Sequence, residues 1–436
     1  MKDHGIGMKT FNLKKILIIS PHFPPSNLAA VHRTRLFAQH LPAFGWQPII
    51  LAVHEKYYEE KLDWDLYKLL PQELRIEKAN AFKVTQPRVI GDIGLRSFFQ
   101  LYRKAKKLIK KEQIDFLYIP IPSFYVALLG RFLHTSTGIK YGIDYIDPWV
   151  HFFPGSNQLF SRHWISTKIA KFLEPIAVKK ASLITGVAEG YYQGVIERNP
   201  HLLQQALFQA MPYGGEYEDH RILKNLNLQP YLFQKKENIV QLIYAGAMLP
   251  KAYGPLEQIF ISISAYKELF QYVKFHFIGT GKSANDHNSF NIKPLAEKYG
   301  LWQDIIFEYP ARIPYLDVLI HLDNADGVFI LGSTESHYTP SKVFQGVLSG
   351  KPIFAVLHKH SSASNVIKST NAGVVLDFHG ENEVMNISNN FSFAFQDFLA
   401  FLKRFDFSKV NKKGFQEYTS YSVTRLLAHK LNELIK

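Results

Sequence analysis

The sequence predicts an α/β protein made of two doubly wound parallel sheets that face each other across a cleft. Short apolar runs alternate with helical patterns over residues 14–211, and the alternation restarts at residue 239. A polar stretch without a clear period lies between the two halves, and 436 residues are too many for one ordinary core. We therefore expect a Rossmann-like domain over residues 1–220, a second one over 237–415, and a C-terminal helical segment over 416–436.

The first half opens with a βαβ unit. The apolar run at residues 16–19 is typical of a strand buried in a parallel sheet, and a helix is predicted over 28–44 with Gly45 at its end. Helical patterns separate the strands that follow, as in a sheet covered by helices on both faces. The strands predicted in this half cover residues 14–20, 48–52, 115–119, 141–145, 182–185 and 208–211.

The second half repeats this alternation. A helix is predicted over 255–270, and the tail from residue 391 has a helical pattern; the predicted strands cover residues 239–244, 274–278, 304–307, 327–330, 352–356 and 373–376. Ligands of open α/β sheets bind beyond the carboxyl ends of the strands. The candidate binding loops are therefore 20–27, 146–155, 246–254, 279–282, 309–314 and 332–342.

The pattern of residues 333–352 predicts a polar loop, then a helix, and then the start of a buried strand. Thr339 is a suitable N-cap with Pro340 in the first helical position, and Gly350 and Pro352 end the helix. Four apolar residues then share one helical face: Val343, Phe344, Val347 and Leu348. The free N–H groups at a helix N-terminus, with the charge of Lys342 beside them, predict a binding site for a phosphate group.

Composition narrows the function classes. The net charge is +14, which suits anionic partners, and the absence of cysteine excludes disulfides, zinc ribbons and thiol catalysis. Residues 104–111 form a basic run with apolar residues between the lysines. This run is either a solvated helix face or a surface that binds anionic lipid. We see no signal peptide and no apolar stretch of spanning length, so we expect a cytoplasmic protein that is either soluble or peripheral on the inner face of the cell membrane.

Several common enzyme motifs are missing. The Gly279-Thr280-Gly281 turn follows a strand, but the third glycine of a dinucleotide fingerprint is absent, and there is no Walker sequence, nucleophile elbow or HExxH. No cluster of His, Asp and Glu has metal-ligand spacing, so no metal is expected. The basic residues are scattered without a recognition motif, so nucleic acid is not an expected partner.

Charged residues at the strand ends of the first half are candidate site residues. Asp147 lies just outside the sheet, where it either caps the turn before Pro148 or faces the cleft to orient a sugar hydroxyl or accept a proton. Trp149 is either core or a stacking surface for a sugar. Three basic residues crowd the first loop and helix, where they are either surface charge or contacts to an anionic acceptor, and at least one of the two arginines is expected to face cleft or solvent: His22, Arg33 and Arg35.

With these residues in place, the chain resembles the GT-B glycosyltransferases of the retaining family 4 type, the group-1-like transferases. The resemblance covers most of the chain, and it is the order and spacing of weak motifs that makes it specific. The motifs are residues 16–25, 33–35, 44–48, 144–149, 184–189, 211–214, 244–246, 277–281 and 340–352.

The resemblance implies transfer of a sugar, with retention and without a metal or other cofactor, from a UDP- or GDP-type donor to a saccharide or lipid-linked acceptor in cell-surface polysaccharide assembly. It also implies that the final helix crosses back to the first domain. Asp147 and Lys342 would be catalytic, and the acceptor would meet His22, Arg33 and Arg35. The residues expected on the donor side are Gly246, Lys251, Gly279, Gly281, Arg312, Glu335, Ser341 and Gln345.

The chain departs from the family pattern at the donor site. His337 and Gln345 stand where the family usually has two glutamates, and Ala247 or Met248 stands where it usually has an arginine. Gln345 can still offer its amide to ribose hydroxyls. These departures motivate an alternative function, a GT-B protein without transfer activity that acts as a binding or scaffold partner in a sugar-assembly complex.

Overall fold

The computed structural model describes residues 13–85, 90–150, 158–283 and 285–436. Within these ranges the strands form two separate, wholly parallel sheets. The first sheet contains β1 Lys14–Ile19, β2 Trp46–Val53, β3 Arg75–Ala79, β4 Phe116–Ile121, β5 Lys140–Tyr145, β6 Leu183–Gly186 and β7 Leu207–Ala210. The second contains β8 Val240–Ala245, β9 Val273–Ile278, β10 Ile306–Tyr309, β11 Gly327–Leu331, β12 Ile353–His358 and β13 Gly373–Phe378.

Helices connect the strands and cover both sheets. In the first half they are α1 Ala29–His40, α2 Ile93–Glu112, α3 Ala127–Thr137, α4 Arg162–Val178, α5 Gln193–Arg198, α6 Leu202–Gln205 and α7 Tyr217–Arg221. In the second half they are α8 Tyr253–Ala265, α9 Lys293–Lys298, α10 Tyr315–Asn324, α11 Lys342–Leu348, α12 Ser362–Thr370, α13 Asn386–Arg404, α14 Lys412–Phe415 and α15 Ser420–Leu434. None of the described helices is both long and apolar enough to cross a membrane.

Both sheets are doubly wound. The strand order is β3-β2-β1-β4-β5-β6-β7 in the first and β10-β9-β8-β11-β12-β13 in the second. The order therefore reverses next to β1 in one sheet and next to β8 in the other, and such switch points open the crevices in which α/β proteins bind ligands. The predicted fold class is confirmed, and the loops after β1, β5, β8 and β9 lie at the edges where a ligand is expected.

The last helix returns to the first domain, as expected. Helix α15 places Val423, Leu427 and Leu431 in one buried cluster with Ile16 of β1 and Phe37 of α1. Gly215 and Thr419 form an isolated parallel bridge just before this helix. The two ends of the chain are thus joined across the domain boundary by apolar packing.

Three local predictions differ from the structure. Strand β3 was not predicted, because this edge strand is only half-buried and its sequence, Arg75–Ala79, has no apolar run. Helix α11 begins at Lys342, two residues later than expected, and Ser341 precedes it without a capping hydrogen bond. Thr339 does not cap it, because its hydroxyl lies 2.6 Å from that of Ser362.

The basic run at residues 104–111 is the solvated face of α2. Ala105, Leu108 and Ile109 are buried in the core of the first domain, so the apolar residues of the run are already covered. Lys104 Nζ pairs with Glu77 of the neighbouring strand at 2.8 Å. Of the two interpretations of this run, the structure supports the solvated face.

Candidate active site between the two domains

Two glycine turns mark the edge of the second sheet at its switch point. Gly246, directly after β8, has a φ of 125°, and Gly279, directly after β9, has a φ of 72°. Both angles lie in the region that favours glycine. A Cβ on Gly279 would lie 4.0 Å from the Gly246 amide nitrogen and 3.7 Å from Arg312 Cγ. The structure therefore brings together three of the predicted donor residues, Gly246, Gly279 and Arg312. The two glycines carry no side chain, which leaves room for a ligand close to their backbone.

Lys342 reaches over the end of β8 from α11. Its Nζ lies 3.6 Å from the centroid of the Tyr244 ring, and a Cβ on Gly246 would come within 3.3 Å of it. No carboxylate of the described residues forms an ion pair with it. Desolvation lowers the pKa of Lys342 to about 7. An ammonium placed on an aromatic face, without an acidic partner, is ready to receive an anionic ligand.

Lys251 and Glu335 form a second charged pair at this edge. Lys251 Nζ lies 3.7 Å from a Glu335 carboxylate oxygen, and the Thr334 amide donates to the Lys251 carbonyl at 3.3 Å. The loop after β11 is thereby fixed to the short helical turn that holds Lys251. Glu335 partly neutralises Lys251, whereas no carboxylate of the described residues pairs with Lys342. An anionic ligand would therefore gain more from Lys342 than from Lys251.

Asp147 faces the cleft from the first domain. The residue keeps accessible surface although protein surrounds its carboxyl group, whereas the neighbouring Trp149 is buried against Phe124 and belongs to the core. Desolvation by the surrounding protein and the charge of Glu335 raise the pKa of Asp147 to about 6. Two carboxylates, one from each domain, are therefore close enough to interact. A carboxyl with such a pKa can exchange a proton near neutral pH.

Gln345 does not point into open space. Its Oε1 lies 2.7 Å from His220 Nε2, on the segment that joins the two domains. Burial lowers the pKa of His220, so the imidazole is neutral near pH 7 and its Nε2 is free to donate this hydrogen bond to the amide oxygen. The predicted contact of Gln345 with ribose would have to use its NH₂ group or exchange this bond. Ser341 directly precedes α11 and is half-buried.

His337 contacts the first domain from the loop after β11. Its ring meets the Tyr191 ring edge-on at 5.2 Å, and a Cβ on Gly190 would come 2.6 Å from His337 Cβ. Only glycine fits at position 190 without a shift of one of the two loops. The loop after β11 is thus held against the first domain, and the cleft is narrow where Asp147 and Glu335 face each other.

Arg33 and Arg35 are both buried, so the expectation that one of them faces cleft or solvent is wrong. Arg33 makes a bidentate pair with Asp144 at 2.6 and 3.0 Å, and Arg35 makes one with Asp219 at 2.9 and 2.5 Å. Each guanidinium is paired with its own buried carboxylate, which allows both to lie inside. Neither is free to contact an acceptor, and we remove both from the acceptor site.

His22 and Arg312 lie at a second point where the domains meet. His22 Nδ1 lies 2.8 Å from Glu60 Oε1, and although desolvation opposes it, hydrogen bonds from His22 and Ser26 lower the pKa of Glu60 to about 2. A small cavity here is lined by Asn27, Glu60 and Arg312, among others. Burial lowers the pKa of Arg312. An acceptor role for His22 stays a prediction.

Some site residues were not predicted. The loop after β6 was missing from the candidate loops, although it carries Gly190 and Tyr191, and the signal was available because it follows a buried strand. The atoms nearest to Gly281 belong to Pro310 and Ser289, and its contact with the donor stays a prediction. Tyr244, which supports Lys342, belongs to the 244–246 motif but was given no role there, and His220, which holds Gln345, carries no sequence signal of its own.

Comparison with known proteins bears on the fold. No family model and no curated protein sequence matches the chain. A glycosyltransferase from Rickettsia africae ESF-5 is similar in structure, with a TM-score of 0.62 and 15% identity over 98% of this chain and 99% of that one. Sucrose-phosphate synthase from Thermosynechococcus elongatus has a TM-score of 0.62 and 12% identity over 97% and 99% of the two chains.

A third similar structure, Anabaena Alr3699/HepE in complex with UDP-glucose, has a TM-score of 0.60 and 13% identity over 96% of this chain and 99% of that one. At such identities the similarity establishes the fold alone. The chain has the GT-B architecture that the sequence resemblance implied. Membership in family 4 stays a prediction.

Proposed function

We propose that the protein is a glycosyltransferase that moves a sugar from a nucleotide-sugar donor to a saccharide or lipid-linked acceptor. The observation that carries this proposal is the position of Lys342, which pairs with no carboxylate of the described residues and lies beside the bare backbone of Gly246 and Gly279. A diphosphate fits such a place, because it would give the Lys342 ammonium an anionic partner. The HepE structure contains UDP-glucose on a similar fold, which favours a donor of the UDP type.

In this proposal the second domain stabilises the leaving group. Lys342 would neutralise charge that develops on the diphosphate as the bond to the sugar breaks, and Lys251 would add to it once its pair with Glu335 loosens. Lys342 already lies beside the glycine turns, so its part in the reaction needs little reorganisation. Retention of configuration, metal independence, a hexose as the transferred sugar and a role in polysaccharide or lipopolysaccharide assembly are parts of the proposal that come from the resemblance.

Asp147 is proposed to act on the acceptor side. It lies at the end of β5 in the first domain and faces the loop that carries Glu335. A carboxylate here can orient an acceptor hydroxyl or accept its proton, and a pKa of about 6 leaves most of the group ionised at pH 7. His22 stays a candidate for acceptor contact.

Calorimetry with UDP, GDP and a panel of sugar nucleotides tests the proposal directly. We expect at least one of them to bind, and we expect the full-length protein to release the free nucleotide from that donor, slowly with water and faster with a saccharide acceptor. If no nucleotide binds even weakly, the proposed function is wrong. If one binds and no conversion occurs with any acceptor, the transfer activity fails while the donor site stands.

A second candidate function has its own supporting observation. Gln345, which stands where relatives are expected to carry a ribose-binding glutamate, is bonded to His220, and His337 is packed against Gly190. Both residues thus serve the contact between the domains, as a binding or scaffold protein would require. Donor binding without turnover, in the panel described above, would favour this function.

Substituting Glu335 tests the coupling of the two carboxylates. In Glu335→Gln, the negative charge that helps to raise the pKa of Asp147 is lost. Below the pKa of Asp147 the carboxyl is protonated and cannot accept a proton, so the acid limb of the kcat/KM profile should move from about pH 6 toward lower pH. Glu381→Gln removes an exposed charge from a neighbouring loop and should leave the limb in place. An unchanged limb in Glu335→Gln would show that Asp147 does not set it.

A further inference from the structure

Helix α4 in the first domain has two apolar faces. Ala170, Glu174 and Ala177 are buried against the rest of the domain. On the opposite side, Ile165, Ile169 and Phe172 follow one another at spacings of four and three residues and form one exposed stripe. The outward side of a surface helix is normally polar, so a row of large apolar side chains there calls for a partner.

The exposed apolar surface continues at both ends of α4. Just before the helix, Phe160 is 80% exposed and has a φ of 62°, a conformation that is rare for a bulky residue. Backbone strain of this kind often accompanies function, and here it holds a phenyl ring in solvent. Helix α3 packs beside α4 and exposes Phe132, while Phe98 of α2 contacts both Phe132 and the exposed Phe99 at ring distances of 6.0 and 5.9 Å.

The charge around this surface has a single sign. Residues 158–173 contain Arg162, Lys168 and Lys171 and no aspartate or glutamate. The one acidic residue further along α4, Glu174, is fully buried and paired with Arg198 at 2.8 Å. Helix α3 contains no acidic residue, and the only acidic residue of α2 is its last one, Glu112. Apolar side chains with basic residues around them match the headgroups and acyl region of an anionic bilayer.

The surface lies near the acceptor side of the proposed site. Helix α4 follows β5, whose end carries Asp147, and α2 begins at Ile93, next to Asp92, which is within electrostatic reach of His22. In a doubly wound sheet the helices begin at the edge where the preceding strands end. A membrane in contact with the first turns of α4 would therefore be close to the part of the cleft that the first domain lines.

We propose that the outer surface of α4, with Phe160 and the exposed phenylalanines of α2 and α3, docks on an anionic lipid bilayer. A second copy of the chain fits this surface poorly, because a two-fold contact through it would bring Arg162, Lys168 and Lys171 against themselves. The docking is peripheral: side chains enter the interface, and the helix lies along it. The proposal does not depend on transfer activity, since binding is measured without a sugar donor.

Vesicle co-sedimentation of the full chain tests the docking. We expect binding to vesicles of phosphatidylcholine with about 30% phosphatidylglycerol and much weaker binding to phosphatidylcholine alone, with a marked loss at high salt. The triple variant Ile165→Ser, Ile169→Ser, Phe172→Ser should bind the anionic vesicles about tenfold less or weaker still. The pair Lys168→Glu, Lys171→Glu should lose the preference for anionic lipid.

A matched control uses exposed apolar residues elsewhere. Met385 and Phe393 near the start of α13 are 65% and 62% exposed, and their replacement by serine should leave vesicle binding unchanged. Circular dichroism and a thermal melt establish that each variant is folded. Wild-type protein that does not sediment with either vesicle overturns the proposal, as does a folded triple variant that binds like wild type. A change of oligomeric state in the triple variant, without vesicle binding by wild type, would assign the surface to a second copy instead.

Discussion

Replacing Lys342 by methionine is expected to lower turnover by a factor of about 10²–10³, as the loss of one fixed group that stabilises developing negative charge does in other enzymes. Methionine keeps most of the side-chain length and its packing on Tyr244, so the loss reports the charge. No carboxylate of the described residues pairs with Lys342, and the substitution therefore leaves no acidic group without a partner. Steady-state kinetics with the donor found by calorimetry gives the ratio.

The same residue predicts a pH dependence of donor binding. Desolvation lowers the pKa of Lys342 to about 7, so part of the population is neutral at pH 7 and most of it is neutral at higher pH. A bound diphosphate favours the charged form and raises the pKa again, which means that binding takes up a proton. The Kd for the nucleotide should therefore rise as pH rises through 7. In Lys342→Met this dependence should disappear.

A control for both experiments is Lys359→Met. Lys359 is exposed in the loop after β12, at the same edge of the second sheet, and its loss should change neither turnover nor the pH dependence of binding by more than about twofold. Two results would contradict the assigned role of Lys342. One is near-full activity of Lys342→Met, and the other is a Kd of this variant that still rises with rising pH as it does in wild type.

The fold could be predicted because its signals are local. Four apolar residues at positions 16–19 identify a buried strand, and Gly45 adopts a φ of 83° at the end of the first helical region, as a glycine at that place should. Val343, Phe344 and Val347 are buried as their helical spacing predicts. Each of these features depends on residues within about one turn or one strand of each other.

The site could be predicted only in part because its key contacts join distant segments. The sequence indicated that Asp147 follows a strand and that Lys342 lies at a helix N-terminus; in the structure Lys342 lies on the Tyr244 ring and Asp147 is within electrostatic reach of Glu335. It gave no sign that Gln345 meets His220, 125 positions away, or that Thr339 bonds Ser362 instead of capping α11. The burial of α1 was also predicted wrongly. A periodicity argument places arginine at the surface, and the buried carboxylates that pair with Arg33 and Arg35 lie far away in the sequence.

Breaking the Arg33–Asp144 pair should destabilise the first domain by about 3–5 kcal/mol, the range for a buried ion pair that loses one partner. Both side chains are fully buried. Arg33 also donates to the Pro212 carbonyl at 2.8 Å, and Asp144 accepts from the Thr185 hydroxyl at 2.7 Å. Although desolvation opposes it, the Asp144 carboxylate raises the pKa of Arg33, so the guanidinium stays charged. In Arg33→Met the carboxylate remains buried without its cation.

Urea unfolding measures this loss, and two further variants separate its causes. The double variant Arg33→Met, Asp144→Leu removes both charges and should regain much of the stability, because an apolar pair of similar volume is often as stable as the ion pair. Arg221→Met removes an exposed arginine paired with Glu218 and should change the free energy of unfolding by less than about 0.5 kcal/mol. A stable Arg33→Met protein with an increased KM for the acceptor would return Arg33 to the binding site. A strong loss of stability in Arg33→Met that the double variant largely reverses would show that Arg33 serves to neutralise the buried Asp144 carboxylate.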